Sequence, residues 1–355
     1  MITSVRLQDF KGHRDTQIPL GRFTVLVGPN GSGKTSVLEA LWLQSQLAQL
    51  SPDAVLTGDW LPDDLRRRGA TELTALSSVG TLNGTPWSCR FELPATAAQT
   101  KLDWELGEDA RQLISGGPTP FSFWMPHLPA ILGRTTVYKL NAGRIAAAAY
   151  SDHPGADVEY DGTNTAVALA SIKLGHDEAF ARIEEEMRRL IPNVERVRIR
   201  QATVRRQPMA DVVGSKVFFD FRGAPGVPAH AASEGTLIAL ALLTILHGPN
   251  RPNILLLDDF DQSLHPQAQT ELVRLIKGLL VDLADVQIVA TTHSPYILDE
   301  IDPSDVQAFA LRDDGTVAVK RLSEHPDAAK MKGALSAGQL WSLDPEKSWV
   351  LEKAS

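Results

Sequence analysis

At 355 residues, with 43% apolar and 22% charged side chains, the chain has material for a large α/β domain with an inserted or flanking subdomain. Its 35 basic and 43 acidic residues leave a net charge of −8, which excludes a surface that grips nucleic acid throughout and leaves room only for a local basic patch. Cys89 stands alone, which excludes an internal disulfide and a cysteine-based zinc site and fits a reducing cytoplasm, and no apolar stretch reaches the about 18 residues that span a bilayer.

In chain order, alternation in "SVRLQDF" and the run "FTVLVG" predict two strands, the second ending at Gly28 where a Gly/Pro/Asn-rich turn begins. A helix is expected from Lys34, because Val37, Leu38, Leu41 and Trp42 recur at helical spacing. "ELTALSSVG", "TPWSCRFEL" and "KLDWEL" alternate and are joined by Asn-Gly or polar turns, so they predict a small antiparallel sheet. "SGGPTPFSFWMPHLP" carries too much Gly and Pro for regular structure and reads as a loop packed by its aromatics. Residues 164–190 predict helix, with Phe180, Ile183, Met187 and Leu190 in one apolar stripe above the charged "EEEMRR" face.

"VERVRIRQ" alternates Arg196, Arg198 and Arg200 with Val197 and Ile199, which puts three guanidiniums on one strand face. That face is either solvated or a phosphate contact; with Arg205, Arg206 and the run Arg66, Arg67 and Arg68 it holds the candidate DNA contacts. The last third alternates short apolar runs with longer helical ones. A helix from Glu234, a strand over 254–258, a helix from Gln267, a strand over 286–292 and a helix near Pro295 predict a parallel sheet with its chemistry at the carboxyl ends of the strands.

The most specific signal is "GPNGSGKT", which is Gly28, Pro29, Asn30, Gly31, Ser32, Gly33, Lys34 and Thr35. It satisfies the phosphate-loop pattern between a β-branched strand and a helix. Glycines let the backbone curl its N–H groups around phosphate, and the helix start adds partial positive charge. Lys34 then reaches the β and γ phosphates of ATP, Thr35 can ligate Mg²⁺, and Ser36 completes the binding turn. Such a loop needs a carboxylate for its magnesium at the end of a neighbouring buried strand. Asp258 closes "NILLLD" and fits that place; Asp259, one residue on, can orient a water on the γ phosphate. The bland alternative is that both aspartates cap the following turn.

Together, "GPNGSGKT", "SEGT", "LLLDD" and "TTHS" resemble, in order and rough spacing, the motifs of the ABC-type ATPase superfamily, and the opening "VRLQDFKGHRDTQIPLGRFTVLVGPNGSGKTSVLEAL" resembles its SMC/RecF branch and the OLD-type ATPases of bacterial genome maintenance and anti-phage defence. "YDGTNTAVALASI" and "IPNVERVRI" resemble the middle of the OLD-type ATPase domain. The resemblance implies one ABC-type domain over 1–355, an α/β P-loop NTPase with a mixed central sheet, an antiparallel β subdomain and an inserted helical lobe. Within it the expected parts are a nucleotide-binding lobe with the β subdomain at 1–110, the inserted lobe at 111–230, a lobe carrying the later motifs at 231–320 and a tail at 321–355.

It also implies that Ser233, Glu234 and Gly235, followed by Thr236, form the signature loop that meets the γ phosphate of a second subunit, and that His293 is the switch histidine. Two chains would then sandwich two ATP molecules as a homodimer or part of a higher oligomer. Ser263 and its neighbours resemble the loop that crosses to the opposing subunit. Asp259 stands where most of the superfamily has glutamate, one methylene longer; the glutamine that joins the magnesium shell is left open among Gln44, Gln46, Gln49 and Gln99; and no heptads continue into coiled-coil arms. The stretch after His293 is short for a TOPRIM domain, and the tail resembles stand-alone defence ATPases that act with a separately encoded effector. Trp341 and Trp349 in that tail either dock a partner or cover the sheet edge. A nucleotide-gated clamp with little turnover and a nuclease built on Asp258, Asp259 and Asp261 are the competing readings.

Overall fold

The computed structural model describes residues 1–107, 111–152, 155–205, 211–262, 264–328 and 334–351. Their strands are β1 (Ile2–Phe10), β2 (His13–Pro19), β3 (Phe23–Val27), β4 (Thr74–Leu82), β5 (Thr85–Leu93), β6 (Lys101–Leu106), β7 (Gln112–Ser115) and β8 (Thr135–Tyr138). The series continues with β9 (Val194–Val204), β10 (Val212–Phe221), β11 (Ala224–Pro228), β12 (Ile254–Leu257), β13 (Gln287–Thr292), β14 (Val306–Leu311) and β15 (Val317–Arg321). The chain divides into two compact units, one made of Met1–Val137, Asn253–Asp258 and Leu283–Ser355, the other of Tyr138–Pro252 and Asp259–Asp282.

The first unit holds two sheets. One is antiparallel in the order β2-β1-β4-β5-β6-β7. Its β4–β5 hairpin turns at Asn83 and Gly84, both with positive φ, the geometry that an Asn-Gly pair adopts without strain. Strand β2 is additional to the two early strands that the sequence predicts. It buries Thr16 and Ile18 on one face and His13 on the other, and two of these three are polar residues that hydropathy does not flag. The other sheet runs β15-β14-β3-β13-β12-β8; β14, β3, β13 and β12 are parallel, and β15 is an antiparallel edge. Every residue of β3, β12 and β13 is buried, so a parallel sheet covered on both faces produces unbroken runs such as "ILLL".

The helix Lys34–Gln49 joins these layers. Its Leu38, Leu41, Leu43 and Leu47 share one core with Leu7, Ile18 and Phe91 of the first sheet and Leu256, Val289 and Phe309 of the second. Each such side chain contributes about 1.5–3 kcal/mol by leaving water, which fixes the start of the helix against the end of β3. The stretch expected as a loop contains two short helical turns instead, Phe121–Trp124 and Leu128–Leu132. Its prolines start these turns rather than break them: Pro120 is an N-cap, and Pro129 sits in the first turn, where a missing N–H costs nothing. Of the aromatics there, Phe121 packs on Phe91 at 5.8 Å while Phe123 and Trp124 are exposed.

The two tail tryptophans have different settings. Trp349 is buried, edge-on to His325 at 5.0 Å, its carbonyl accepts from Lys320 Nζ at 2.8 Å, and its helix Glu346–Val350 lies on β14 and β15. It covers the sheet edge. Trp341 donates through Nε1 to Glu346 at 2.9 Å, linking the tail helices Ala337–Leu343 and Glu346–Val350.

The second unit is built around the helix Glu234–His247, buried continuously from Thr236 to Leu246. The helices Ala142–Ala146, Thr165–Gly175, Asp177–Leu190 and Pro266–Asp282 surround it. This accounts for the longest apolar window of the sequence: a helix enclosed on all sides carries no polar face. The helical stretch over 164–190 breaks at His176, and its stripe of Phe180, Ile183 and Met187 is buried as expected, with Leu190 half-buried. Strands β11, β10 and β9 form an antiparallel sheet. Among the described residues no helix is long and apolar enough to cross a membrane.

Candidate functional site

The turn after β3 is built by two glycines that nothing larger could replace. Gly28 has φ 142°, and a Cβ there would lie 2.5 Å from the carbonyl oxygen of Phe309 on the adjacent strand. Gly33 has φ 92° and N-caps the helix Lys34–Gln49; a Cβ there would lie 2.8 Å from both His13 Nε2 and Val317 Cγ2. The chain therefore reverses tightly and delivers a helix start to the carboxyl edge of the sheet. Pro29, Asn30 and Gly31 form its exposed crest, and Ser36 lies half-buried in the first helical turn.

Lys34 is buried, and its ammonium donates to the carbonyls of Gly28 and Pro29 at 2.9 Å each, which holds the cation inside the arc of the loop. Ser32 Oγ is buried and meets no hydrogen-bond partner among the described residues. A convergent cation, a helix N-terminus and an orphaned hydroxyl in one turn make an anion site suited to phosphate.

The neighbouring strands supply the carboxylate. Register places Leu257 of β12 opposite Ala290 of β13, and Thr291 opposite Leu26 of β3, so Asp258 leaves β12 beside Thr291 at the sheet edge where the loop begins. Asp258 Oδ1 accepts from Thr291 Oγ1 at 2.7 Å and from Thr35 Oγ1 at 3.1 Å. A threonine hydroxyl and a buried carboxylate this close, both at the mouth of a phosphate loop, are the protein ligands that Mg²⁺ uses when the remaining positions go to phosphate and water. The residues present fit that ion. His293 follows β13, and the pairing of Thr292 with Val27 brings it alongside Gly28. Ser294 caps the next turn, Pro295–Leu298.

His13, which sequence reasoning passed over, supports the loop from below. Its Nε2 lies 3.1 Å from the carbonyl of Gly33, its ring meets Phe309 edge-on at 6.5 Å, and burial pushes its pKa from 6.5 down to about 4 against the opposing effect of the Gly33 contact. No periodicity marks a lone His in "KGHRD". Thr291, one lateral step from Asp258, was also given no role, because its strand carries Gln287 and Thr292 as well and polarity alone does not single it out.

The remaining candidates lie in the second unit. Ser233 N-caps the helix Glu234–His247: its Oγ accepts from the N–H of Thr236 at 3.2 Å and lies 2.7 Å from that residue's hydroxyl. Ser233 and Glu234 are exposed, and Gly235 allows the helix start to come against Ala268, to which a Cβ would be 3.1 Å. This is an exposed, capped helix N-terminus with a small residue beside it. Asp259 is one of few non-glycine residues with positive φ, 45°, and its Oδ2 pairs with Lys139 Nζ at 2.7 Å. Lys139 is a third residue that the sequence did not single out.

Arg196, Arg198 and Arg200 do share the exposed face of β9. Arg198 is held by Asp220 at 2.5 Å, which raises the guanidinium pKa and lowers that of the carboxylate, and Arg200 lies over the ring of Phe218 at 4.7 Å. Arg206 and Ser263 lie outside the described residues. Gln44 is in the core of the first unit, accepting from Ser78 Oγ at 2.9 Å beside Cys89, whose thiol burial pushes up to about 12. Gln49 turns back to Ser45.

A family model described as "AAA domain, putative AbiEii toxin, Type IV TA system" matches residues 23–299. The chain is 36% identical over 69 residues to the Septu protein PtuA of Bacillus thuringiensis, a match that spans 19% of this chain and 17% of that protein. Among solved structures it resembles an SMC head bound to the C-winged helix domain of ScpA, with TM-score 0.60 and 16% identity over 90% of this chain and 97% of that one. It resembles the SMC head domain from Thermotoga maritima with TM-score 0.51 and 13% identity, over 90% and 98% of the two chains. An Smc head with an extended coiled coil, bound to a ScpA domain derived from Pyrococcus furiosus, gives TM-score 0.56 and 16% identity over 94% and 98%. At such identities the likeness concerns the fold, which is that of an SMC head.

Proposed function

Because the chain belongs to the family described as "AAA domain, putative AbiEii toxin, Type IV TA system", we propose that it is an ABC-type ATPase that binds and hydrolyses ATP, dimerises around two ATP molecules and passes its nucleotide state to a separately encoded effector in anti-phage defence or DNA repair. The observation that carries this reading is the hydrogen-bonded set of Thr35, Asp258 and Thr291 at the carboxyl ends of adjacent parallel strands, beside a loop closed by Lys34.

In this reading the N–H groups of Gly28 and residues 30–36, with the Lys34 ammonium, hold the phosphates. Thr35 and Asp258 hold Mg²⁺, which when bound neutralises charge on the β and γ oxygens. Thr291 orients Asp258. Asp259 orients the attacking water and His293 contacts the γ phosphate. Ser233, Glu234 and Gly235 offer their exposed helix start to the nucleotide of a second copy, so ATP lies inside the interface and links assembly to occupancy. The exposed arginine face of β9 is the proposed place of any DNA contact.

The test follows ATP hydrolysis and sedimentation of the full chain, of Lys34→Ala and of Asp259→Asn. The expected result is turnover in the natural chain, loss of binding in Lys34→Ala, and an ATP-dependent dimer that accumulates in Asp259→Asn. A monomeric Asp259→Asn at saturating ATP refutes the sandwich. One observation favours a second reading, a nucleotide-gated clamp with little turnover: Asp259 is a short carboxylate already engaged by Lys139. That reading requires dimerisation by ATP without phosphate release, and steady turnover eliminates it.

A further inference from the structure

We propose that Lys139 is a positioning residue for Asp259, carried to its place by the turn "EYDGTN" at residues 159–164; the proposal rests on the reading of Asp259 as the carboxylate that orients water. Asp259 is an L-residue at φ 45°, a backbone state that carries a steric cost and persists where surrounding contacts impose it. The side chain of this residue is met by Lys139 Nζ, 2.7 Å from Oδ2.

The lysine itself starts from a built support. Its backbone N–H donates to the carbonyl of Tyr160 at 2.8 Å, and that of Asn141 donates to Asp161 at 2.9 Å. The turn that supplies both carbonyls is closed on itself. Glu159 N–H donates to Thr163 at 3.0 Å, Gly162 N–H to Glu159 at 2.9 Å, and Thr163 N–H to the Asp161 carboxylate at 2.9 Å. Asn164 Nδ2 donates to the Glu159 carboxylate. Gly162 has φ 89° and lies against Ile145, so no side chain fits there, and Asn164 at φ 67° leads directly into the helix Thr165–Gly175. The closed turn thereby fixes residues 139–141, from which the lysine stem reaches the aspartate.

Both partners are about one third exposed, 36% and 32%, so the pair adds little to folding. Its effect is on placement. An aspartate reaches one methylene less far than the glutamate it replaces and has less freedom to find a water, so a misplacement near 1 Å is expected to cost on the order of a hundredfold in rate.

The experiment measures steady-state ATP hydrolysis and ATP-driven sedimentation of the full chain with Lys139→Ala and Lys139→Arg, with Lys34→Ala and Asp259→Asn alongside. Lys139→Ala should lower kcat about 10- to 100-fold at unchanged KM and with ATP-driven dimerisation intact, and Lys139→Arg, which keeps the cation, should regain most of it. An unchanged or raised kcat in Lys139→Ala overturns the proposal while the ATPase reading stands; parent-level turnover in Asp259→Asn overturns the reading of Asp259 itself.

Discussion

Acid should loosen the phosphate loop through His13. The imidazole is fully enclosed, Nε2 donates to the Gly33 carbonyl, and Nδ1 meets no partner among the described residues, so a second proton would be a buried, unpaired charge. Burial lowers its pKa from 6.5 to about 4, which means that the unfolded chain takes up the proton first as pH falls. The contribution of the neutral imidazole is therefore complete above 6.5, declines between 6.5 and about 4, and is gone below that. At about 1.4 kcal/mol per pH unit the whole window is worth roughly 3 kcal/mol, of which about 2 kcal/mol is lost between pH 7 and pH 5. For a unit of this size that lowers the melting temperature by about 4–8 °C. The assay is thermal or urea unfolding of the natural chain and of His13→Gln across that range, because carboxylates and other histidines also titrate there. His13→Gln should start less stable at pH 8 and lose about 2 kcal/mol less on acidification; parallel pH curves for the two proteins refute the argument.

Three further outcomes are expected. Thr291→Val removes the hydroxyl that donates to the buried Asp258 and should cost about 1–3 kcal/mol in urea unfolding, with a larger loss of Mg²⁺-dependent ATP binding in calorimetry than of binding without metal. Gly28→Ala drives a methyl to 2.5 Å from the carbonyl of Phe309 at a backbone angle that L-residues avoid, so the folded protein should lose ATP binding, and full affinity would show that the loop relaxes freely. Replacing Arg196, Arg198 and Arg200 by alanine should lower the log–log salt slope of any DNA binding by about 2, not 3, because Arg198 is already held by Asp220; an unchanged slope removes this face from the DNA contact.

Much of the site was legible in the residues themselves. "GPNGSGKT" has a fixed spacing because only glycine adopts the backbone angles of Gly28 and Gly33, and that need is local, visible without any partner strand. "ILLLDD" revealed a buried strand with a carboxylate at its end for the same reason: a parallel sheet covered on both faces leaves no polar position until the edge. The stripe of Phe180, Ile183 and Met187 follows from periodicity alone, whereas the unbroken apolar run after Glu234 is marked as a helix by its length.

Contacts between distant residues were not legible. Strand β2 was missed because it buries a His and a Thr where hydropathy looks for aliphatics, and the helical turns Phe121–Trp124 and Leu128–Leu132 because their prolines act as starters. Thr291 beside Asp258, His13 beneath Gly33 and Lys139 on Asp259 depend on strand register and on a turn that meets a distant residue. Composition and spacing determine which groups can hold a phosphate, since each obeys a local rule of backbone angle or period. Which groups hold those groups was decided by the tertiary structure alone, because hydrogen bonds across 33 and 120 positions leave no periodic trace in the chain.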